Sequence, residues 1–289
     1  VSYVGTTHYL AGAKPESTLA IVTFSLPNRA LTFTREGGRY RAAYDVVLDF
    51  RRDTNTLKRI VAHEEVRVGR FRETVRDEEG GIFQQFVLLP PGAAKLEITT
   101  RDAGSTRSGA AGTTLQIPRF DPGSIAPPLP VLRARARRSR AATPDIVVSP
   151  RATGVLGRDS ILEFLVEAYE GPLQSSSTPL QINVGDEGGR RVLVDTVTLT
   201  DGTRGPPSDS AGSTARPTGE VRSGRVRLPV SRLGLGVLSL GVSELAPAAA
   251  RAPATTSIEG VETHFVVSIS EGLTVSSFDE MLSYLRHFT

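Results

Sequence analysis

The sequence predicts an all-β protein made of two antiparallel, immunoglobulin-like β-sandwich domains in tandem, closed by a short C-terminal amphipathic helix. Short apolar segments recur at roughly 10–15-residue spacing without intervening helical periods, which favours antiparallel sandwiches over a βαβ fold. The chain has 28 Gly and 19 Pro, a content that suits many strands joined by turns. It has no Trp, so its cores must depend on Val, Leu, Ile and Phe.

The strands of the first half are predicted from β-branched or alternating apolar segments that end at turn residues. Tyr40–Phe50 alternates, which places Ala42, Leu48 and Phe50 on one face. Gly81–Leu89 is followed by Pro-Pro-Gly, a strong turn signal. The predicted strands are Ser17–Leu26, Tyr40–Phe50, Ile60–Val68, Gly81–Leu89, Lys95–Thr100 and Thr113–Ile117.

Residues 121–145 interrupt this pattern and are the predicted domain boundary. A Pro-rich stretch, 125–130, precedes a run with five Arg in eight residues, 133–140. Dense Pro stiffens a chain and dense Arg extends it by repulsion, which predicts a linker. The predicted division is a sandwich over 1–120, a Pro/Arg-rich linker over 121–145, a sandwich over 146–272 and a helix over 273–289.

The second half repeats the strand pattern, with two long loops rich in Gly, Pro, Ser, Thr and Ala at 201–220 and 246–257. Those loops are predicted to be mobile or to become ordered on a partner. The predicted strands are Asp145–Val148, Ile161–Tyr169, Leu180–Val184, Val192–Leu199, Gly224–Val230, Leu233–Val242 and Glu262–Ile269.

The final segment changes to helical spacing, with a Ser N-cap and acidic residues in its first turn. This helix either packs on its own domain, the commoner arrangement, or serves as a docking helix. Its apolar residues are Phe278, Met281, Leu282, Leu285 and Phe288.

Composition excludes several kinds of site and location. There is no Cys, so disulfides, thiolate metal sites and Cys nucleophiles are ruled out. No apolar run approaches the roughly 20 residues that span a bilayer. The first residues lack a signal-peptide core, so any signal or lipid anchor is expected upstream of Val1. The formal net charge is only +3 and the positive charge is almost all Arg. A GC-rich genome explains that bias most simply, and selection for bidentate contacts is the alternative.

The sequence carries no recognisable catalytic motif and predicts neither an enzyme nor a cofactor or metal site. His63 and Glu65 share one strand face, but two ligands are too few for a catalytic metal. No GxSxG elbow or Walker loop occurs. Gly234, Gly236 and Gly241 have the wrong spacing for a dinucleotide fingerprint and lie in an apolar strand, so they indicate close sheet packing or bulges.

The Arg run is the sharpest candidate contact site. A flexible basic strip of this kind suits anionic lipid headgroups or an acidic protein surface, and a solvated linker is the alternative. Nucleic acid is not expected, because no aromatic platform or recognition helix accompanies the run. The candidate contact residues are Arg133, Arg135, Arg137, Arg138 and Arg140.

Several segments together resemble the N-terminal β region of bacterial GWxTD-domain proteins. The namesake motif is absent, since the chain has no Trp, so the resemblance implies the β-sandwich region and none of the activity of the GWxTD domain. The segments are 39–45, 68–74, 84–92 (QQFVLLPPG), 149–151 before Ile161–Tyr169, and 278–288 (FDEMLSYLRHF).

A chain of this build is also similar to the extra-membrane accessory subunits of bacterial photosynthetic reaction-centre–light-harvesting complexes. That resemblance implies a non-catalytic, periplasmic structural protein that is peripheral to the membrane and binds protein subunits of a membrane complex. The alternative hypothesis is a carbohydrate- or peptide-binding β-sandwich module of the envelope. An enzyme with carboxylates converging from both halves is the third hypothesis.

Overall fold

The computed structural model describes residues 4–76, 81–137, 139–150, 153–155, 159–169, 179–201, 221–244 and 261–268. It confirms the all-β class: these residues form mostly antiparallel sheets, and the α-helix among them, α1, spans only Phe71–Thr74. Within the same ranges, no helix is long and apolar enough to cross a membrane. The predicted C-terminal helix, the loop 246–257 and all of the loop 201–220 except Asp201 lie outside the described residues.

The N-terminal half forms two sheets. Sheet I has the strand order β1-β2-β6, and sheet II has the order β3-β4-β7-β8, with β5 paired to the other side of β4. The strands are β1 (Val4–Ala11), β2 (Thr18–Ser25), β3 (Thr34–Glu36), β4 (Arg39–Arg52), β5 (Asn55–Val68), β6 (Ile82–Leu89), β7 (Gly92–Asp102) and β8 (Ser108–Ile117).

Sheets I and II pack face to face around one apolar core. The alternation predicted for Tyr40–Phe50 is confirmed, because Val46, Leu48 and Phe50 are fully buried against side chains of sheet I. Phe24 of β2 stacks on Phe83 of β6, with ring centroids 4.7 Å apart, inside the same core. Burial of this apolar surface is the main stabilising contribution to the pair of sheets.

The second half forms two further sheets. Sheet III has the order β10-β9-β12-β16-β15, and sheet IV has the order β11-β18-β17-β13-β14. The strands are β9 (Leu129–Ala134), β10 (Ile146–Val148), β11 (Thr153–Val155), β12 (Ile161–Tyr169), β13 (Pro179–Asp186), β14 (Arg191–Thr198), β15 (Thr200–Asp201), β16 (Val221–Pro229), β17 (Gly236–Glu244) and β18 (Val261–Ser268).

A third apolar cluster joins the two halves. Sheets III and IV share one core, and sheets I and III share another, which contains Leu10, Ile21, Val131 and Leu165. The middle strand β2 is therefore covered on both faces, and all of its residues except Ser25 are buried. A strand buried on both faces has a nearly continuous apolar sequence, and Leu19–Phe24 has one. The four sheets form successive layers in the order II, I, III, IV.

The predicted linker differs from the structure. β9 lies inside 121–145 and pairs with β12 and β10. Upstream of β9, Gly123 N donates to Tyr169 O and Ala126 N donates to Glu167 O. Proline, which has no N–H to donate, is tolerated in this segment because Pro130 is the last residue of β9 that pairs with β12. The described residues of this range, 121–137 and 139–145, thus form part of sheet III and the segments that flank β9 and β10, and they are not an extended spacer.

A buried carboxylate fastens the turn between β7 and β8 to the segment before β3. Asp102 is fully buried and accepts hydrogen bonds from Thr32 Oγ1 at 2.5 Å, Ser105 Oγ at 2.5 Å and Gly104 N at 3.3 Å. Burial alone would raise the pKa of the Asp102 carboxyl, but these hydrogen bonds outweigh it and lower the pKa overall.

Candidate functional site

The five predicted contact arginines separate into exposed and buried members. Arg133 and Arg135 are exposed and lie 3.4 and 3.5 Å from the carboxylate of Asp145. Arg137 and Arg140 are only 3% and 7% exposed, so their guanidinium groups are not available to a lipid surface, contrary to the prediction. Arg138 lies outside the described residues.

The reason for that burial is a partner that lies far away in sequence. Arg137 Nε donates to both carboxylate oxygens of Glu167, at 3.1 and 3.0 Å, and Arg137 Nη2 lies 2.8 Å from Glu167 Oε2. Both side chains are 1% exposed. Glu167 lies in β12 on the same face as Leu165 and Tyr169, which points toward sheet I. The ion pair is therefore placed between the two halves.

Other donors of the two guanidinium groups bond to backbone carbonyl oxygens, both at the end of β1 and the turn after it and in the segments on either side of β9. Arg137 Nη2 donates to Ala11 O at 2.9 Å. Arg140 Nε donates to Gly12 O at 3.1 Å, and its Nη2 donates to Phe120 O at 2.9 Å. Arg137 Nη1 donates to Arg140 O at 3.1 Å. Arg137 is thus stabilised by the carboxylate of Glu167 and by carbonyl dipoles, whereas Arg140 is stabilised by carbonyl dipoles.

Tyr169 completes this network. Its hydroxyl donates to Glu167 Oε2 at 3.1 Å and accepts from Ala11 N at 3.0 Å. The guanidinium carbons of Arg137 and Arg140 lie 5.8 and 5.3 Å from the Tyr169 ring centroid, within cation–π range. We call Arg137, Arg140, Glu167 and Tyr169 the junction network.

Neighbouring groups of the junction network shift the pKa values of Glu167 and Tyr169, and the polar atoms of the network bond to each other or to the backbone. Burial raises the pKa of the Glu167 carboxyl, and the Arg137 guanidinium and the Tyr169 hydroxyl counter that rise. Burial, followed by the charge of Glu167, raises the pKa of Tyr169 well above its usual value. A buried phenol whose pKa is raised stays protonated and keeps donating its hydrogen bond. The arrangement holds two sheets together and presents no free acid, base or nucleophile.

A second bridge between the halves is made by one side-chain amide. Gln84 Nε2 donates to Ile146 O at 2.9 Å, and Gln84 Oε1 accepts from Val148 N at 2.7 Å. The amide thus satisfies one carbonyl and one N–H of β10, as a neighbouring strand would. It connects sheet I with sheet III on the side of sheet I opposite β1.

An open groove of about 470 Å³ lies beside this bridge. Its floor is the outer edge of β6, one wall is the inner face of β5, and the other wall is the segment 141–144. We call it the β6 groove. Its lining residues are Ala13, Leu19, Lys58, Ile60, Gln85, Phe86, Val87, Leu88, Arg140, Ala141, Ala142, Thr143 and Pro144.

The charged residues singled out as weak metal candidates belong to separate surface pairs. His63 Nδ1 lies 2.8 Å from Asp45 Oδ1, while Glu65 pairs with Arg41 and Arg67 on the same outer face of sheet II. Within the described residues, no group of three or more His, Cys, Asp or Glu is arranged to hold a metal ion.

Sequence reasoning missed Glu167, Tyr169, Gln84 and the β6 groove. One signal for the first was present: Glu167 interrupts the apolar strand Ile161–Tyr169, and a charge within a strand buried on both faces requires a partner. A Glu within a buried strand and an Arg-rich segment in the same chain together point to an internal pair. The groove left no such signal, because it is formed by three segments distant in sequence.

The comparisons with known proteins add no family to these observations. No protein-family model matches the chain, and no curated protein matches it.

Proposed function

We propose that this chain is a non-catalytic scaffolding subunit that binds protein partners on the extracytoplasmic face of a membrane protein complex. The observation that supports it best is the use made of the buried charged groups at the junction. Arg137 pairs with Glu167 and donates to the backbone of both halves, and Arg140 donates to the backbone carbonyls of Gly12 and Phe120. Buried charge arranged in this way contributes to a fixed orientation of two layers, which a scaffold requires.

The stack of layers supports the same proposal. Three apolar cores follow one another through four sheets, so the two halves meet in a packed core and not through a spacer alone. A rigid body of this kind can hold two partners at a set distance. It also leaves sheet edges and the β6 groove facing outward as contact surfaces.

The setting in a membrane complex comes from the resemblance to accessory subunits of photosynthetic reaction-centre–light-harvesting complexes, together with the resemblance to GWxTD-domain proteins. Both remain part of the proposal. The same proposal includes anionic lipid as a minor partner through the exposed Arg133 and Arg135. Each Arg near an anionic surface contributes about 1 kcal/mol, and the proximity of Asp145 to both reduces that contribution.

Affinity purification from the native membranes tests this function. A tagged full chain, recovered after mild detergent solubilisation, is expected to bring integral membrane proteins with it in fixed stoichiometry. The double variant Arg133→Gln/Arg135→Gln serves as the matched control for lipid attachment, because it removes two exposed arginines of the run and leaves the buried Arg137 and Arg140 in place. A chain that is recovered alone from every membrane and soluble fraction would refute the scaffold.

A binding module of the envelope is the second candidate, and the β6 groove favours its peptide form over its carbohydrate form. The groove presents a strand edge and aliphatic side chains, which suit an extended peptide. Retention on a glycan array, with no peptide binding, would instead support a carbohydrate ligand.

A further inference from the structure

The β6 groove has the geometry of an unfilled position at the edge of a sheet. Among the described strands, β6 is the last of sheet I and pairs with β2 alone. Among the described residues, no backbone–backbone hydrogen bond outside that ladder involves β6; the side-chain amide of Gln85 donates to Phe86 O at 3.3 Å, a long contact that an added strand would displace. An edge strand carries a row of N–H and C=O groups that another extended chain can pair with. That row, at Gln85–Leu88, forms the floor of the groove.

Two walls restrict what can lie along this edge. Side chains of β6 alternate: Val87 packs into the core shared with sheet II, whereas Phe86 packs against the core shared with sheet III. A strand added to β6 would alternate in the same way. Half of its side chains would face Lys58 and Ile60 of β5, and the other half would face the segment 141–144.

The wall on the β5 side carries an exposed positive charge. Lys58 lies opposite Phe50 in the β4–β5 ladder, and directly opposed residues share a sheet face, so Lys58 is on the inward face of sheet II. Phe50 is fully buried, but Lys58 is exposed at the groove. Among the described residues, Lys58 has no ion-pair partner. A carboxylate is the natural complement of an ammonium group on an otherwise aliphatic wall.

We infer that the β6 groove binds an extended, acidic segment of a partner protein, which adds as a strand to β6 and places a carboxylate beside Lys58. This inference rests on the proposed function, since it identifies the surface by which the scaffold holds a partner. Four groove residues of β6 correspond to roughly 13 Å of strand, so the bound core is about four residues long. The exposed Leu88 (56% exposed) is a contact for an aliphatic side chain of that segment.

The edge of β6 differs in charge from the neighbouring edge strand β5, which indicates a specific binding site and not non-specific edge pairing. β5, the edge strand of sheet II, carries Lys58, Arg59, His63, Glu64, Glu65 and Arg67. Alternating charge of this kind protects an edge from pairing. By contrast, Gln85–Leu88 has no charged residue and no Pro. Charged side chains therefore protect the edge of β5 from strand pairing, whereas the recessed edge of β6 at Gln85–Leu88 lacks such protection.

Selection of peptides from a phage-displayed library of linear random heptapeptides tests the inference on the full chain. The enriched peptides are expected to combine one Asp or Glu with aliphatic residues at alternate positions. Fluorescence anisotropy then measures the affinity of the leading peptide and of the same peptide with its Asp or Glu replaced by Asn or Gln. Lys58→Glu is expected to weaken the acidic peptide at least about tenfold, the size of one lost charge-assisted contact.

Two variants separate the groove from other surfaces. Ala141→Trp fills the groove from the exposed position 141 without touching a strand ladder, and it is expected to abolish peptide binding. Lys95→Glu makes the same charge change on β7, outside the groove lining, and is expected to leave the affinity unchanged. Circular dichroism and thermal unfolding of each variant show that the fold is retained.

The outcomes distinguish the inference from the proposed function. Failure to enrich peptides, or equal binding by wild type, Lys58→Glu and Ala141→Trp, would refute the inference that the β6 groove binds an acidic segment. If native membrane proteins still co-purify with Ala141→Trp, the scaffold stands and its contact surface lies elsewhere. If peptides bind the groove but wild type recovers no membrane proteins, the scaffold fails and the groove stands.

Discussion

Removal of Arg137 from the junction network is the most informative perturbation of this protein. In Arg137→Met the carboxylate of Glu167 loses its cation, and the carbonyl oxygens of Ala11 and Arg140 lose a donor. Methionine fills much of the space but donates nothing. Breaking a buried pair from one side costs about 3–5 kcal/mol, because the remaining charge stays in the interior without compensation.

The paired variant Arg137→Met/Glu167→Leu separates the interaction from its desolvation cost. Replacement of a whole buried pair by apolar residues is often close to neutral, although here Ala11 O, Arg140 O and the Tyr169 hydroxyl still lose partners. We therefore expect the double variant to be more stable than Arg137→Met alone, with a coupling energy of about 1–3 kcal/mol.

Urea unfolding followed by circular dichroism measures these differences. Arg133→Met is the matched control, since it removes an exposed arginine at 3.4 Å from Asp145 and is expected to cost under about 1 kcal/mol. A cost for Arg137→Met as small as that of the control would refute the junction network as a structural lock. A second transition in the Arg137→Met curve would show that the halves then unfold separately.

Three further changes test other parts of the structure. His8 is partly buried, and burial lowers its pKa to about 4. The unfolded chain, with an ordinary pKa of 6.5, therefore binds a proton first, and stability is lost as pH falls from about 6.5 to 4, by up to about 3 kcal/mol. His8→Gln should flatten that part of the stability–pH curve measured by urea unfolding. Asp102→Asn should cost about 2–3 kcal/mol of unfolding free energy. The pKa of Asp102 is lowered in the folded state, so its stabilising contribution is present above the unfolded pKa and is lost in acid. The variant should therefore lose less stability than wild type below pH 4. Gln84→Ala should cost about 1–3 kcal/mol. Gln84→Glu should cost at least as much at neutral pH in the same assay, because its carboxylate still accepts from Val148 N but opposes the carbonyl oxygen of Ile146 without a proton to donate.

Most strands were predictable because each is a local pattern. β2, β4, β6 and β12 match their predicted segments to within two residues at either end, since β-branched runs and turn residues act over a few positions. β1 was missed: its sequence, with two Thr and a His, lacks a clear apolar alternation. Its stability comes from pairing with β2 along its whole length.

The Arg-rich segment shows why local pattern reasoning fails at the site. Five Arg in eight residues favour an extended, solvated chain when no partner is known. The carboxylate that buries Arg137 is 30 residues away, and the carbonyl oxygen of Ala11 is 126 residues away. Charge density in sequence predicts repulsion, whereas the fold supplies one carboxylate and several carbonyl oxygens that reverse it.

The junction network and the β6 groove share a residue, which joins the structural role of the arginines to the proposed binding role. Arg140 lines the groove and fixes the start of its wall through Gly12 O and Phe120 O. Lysine keeps the charge but cannot reach two carbonyl oxygens from one planar fork. Arg140→Lys is therefore expected to loosen the segment 141–144 and to weaken the selected peptide by about tenfold, the equivalent of one hydrogen bond to a charged group. Anisotropy with the same peptide measures this, and an unchanged affinity in the folded variant would show that the wall is held independently of the network.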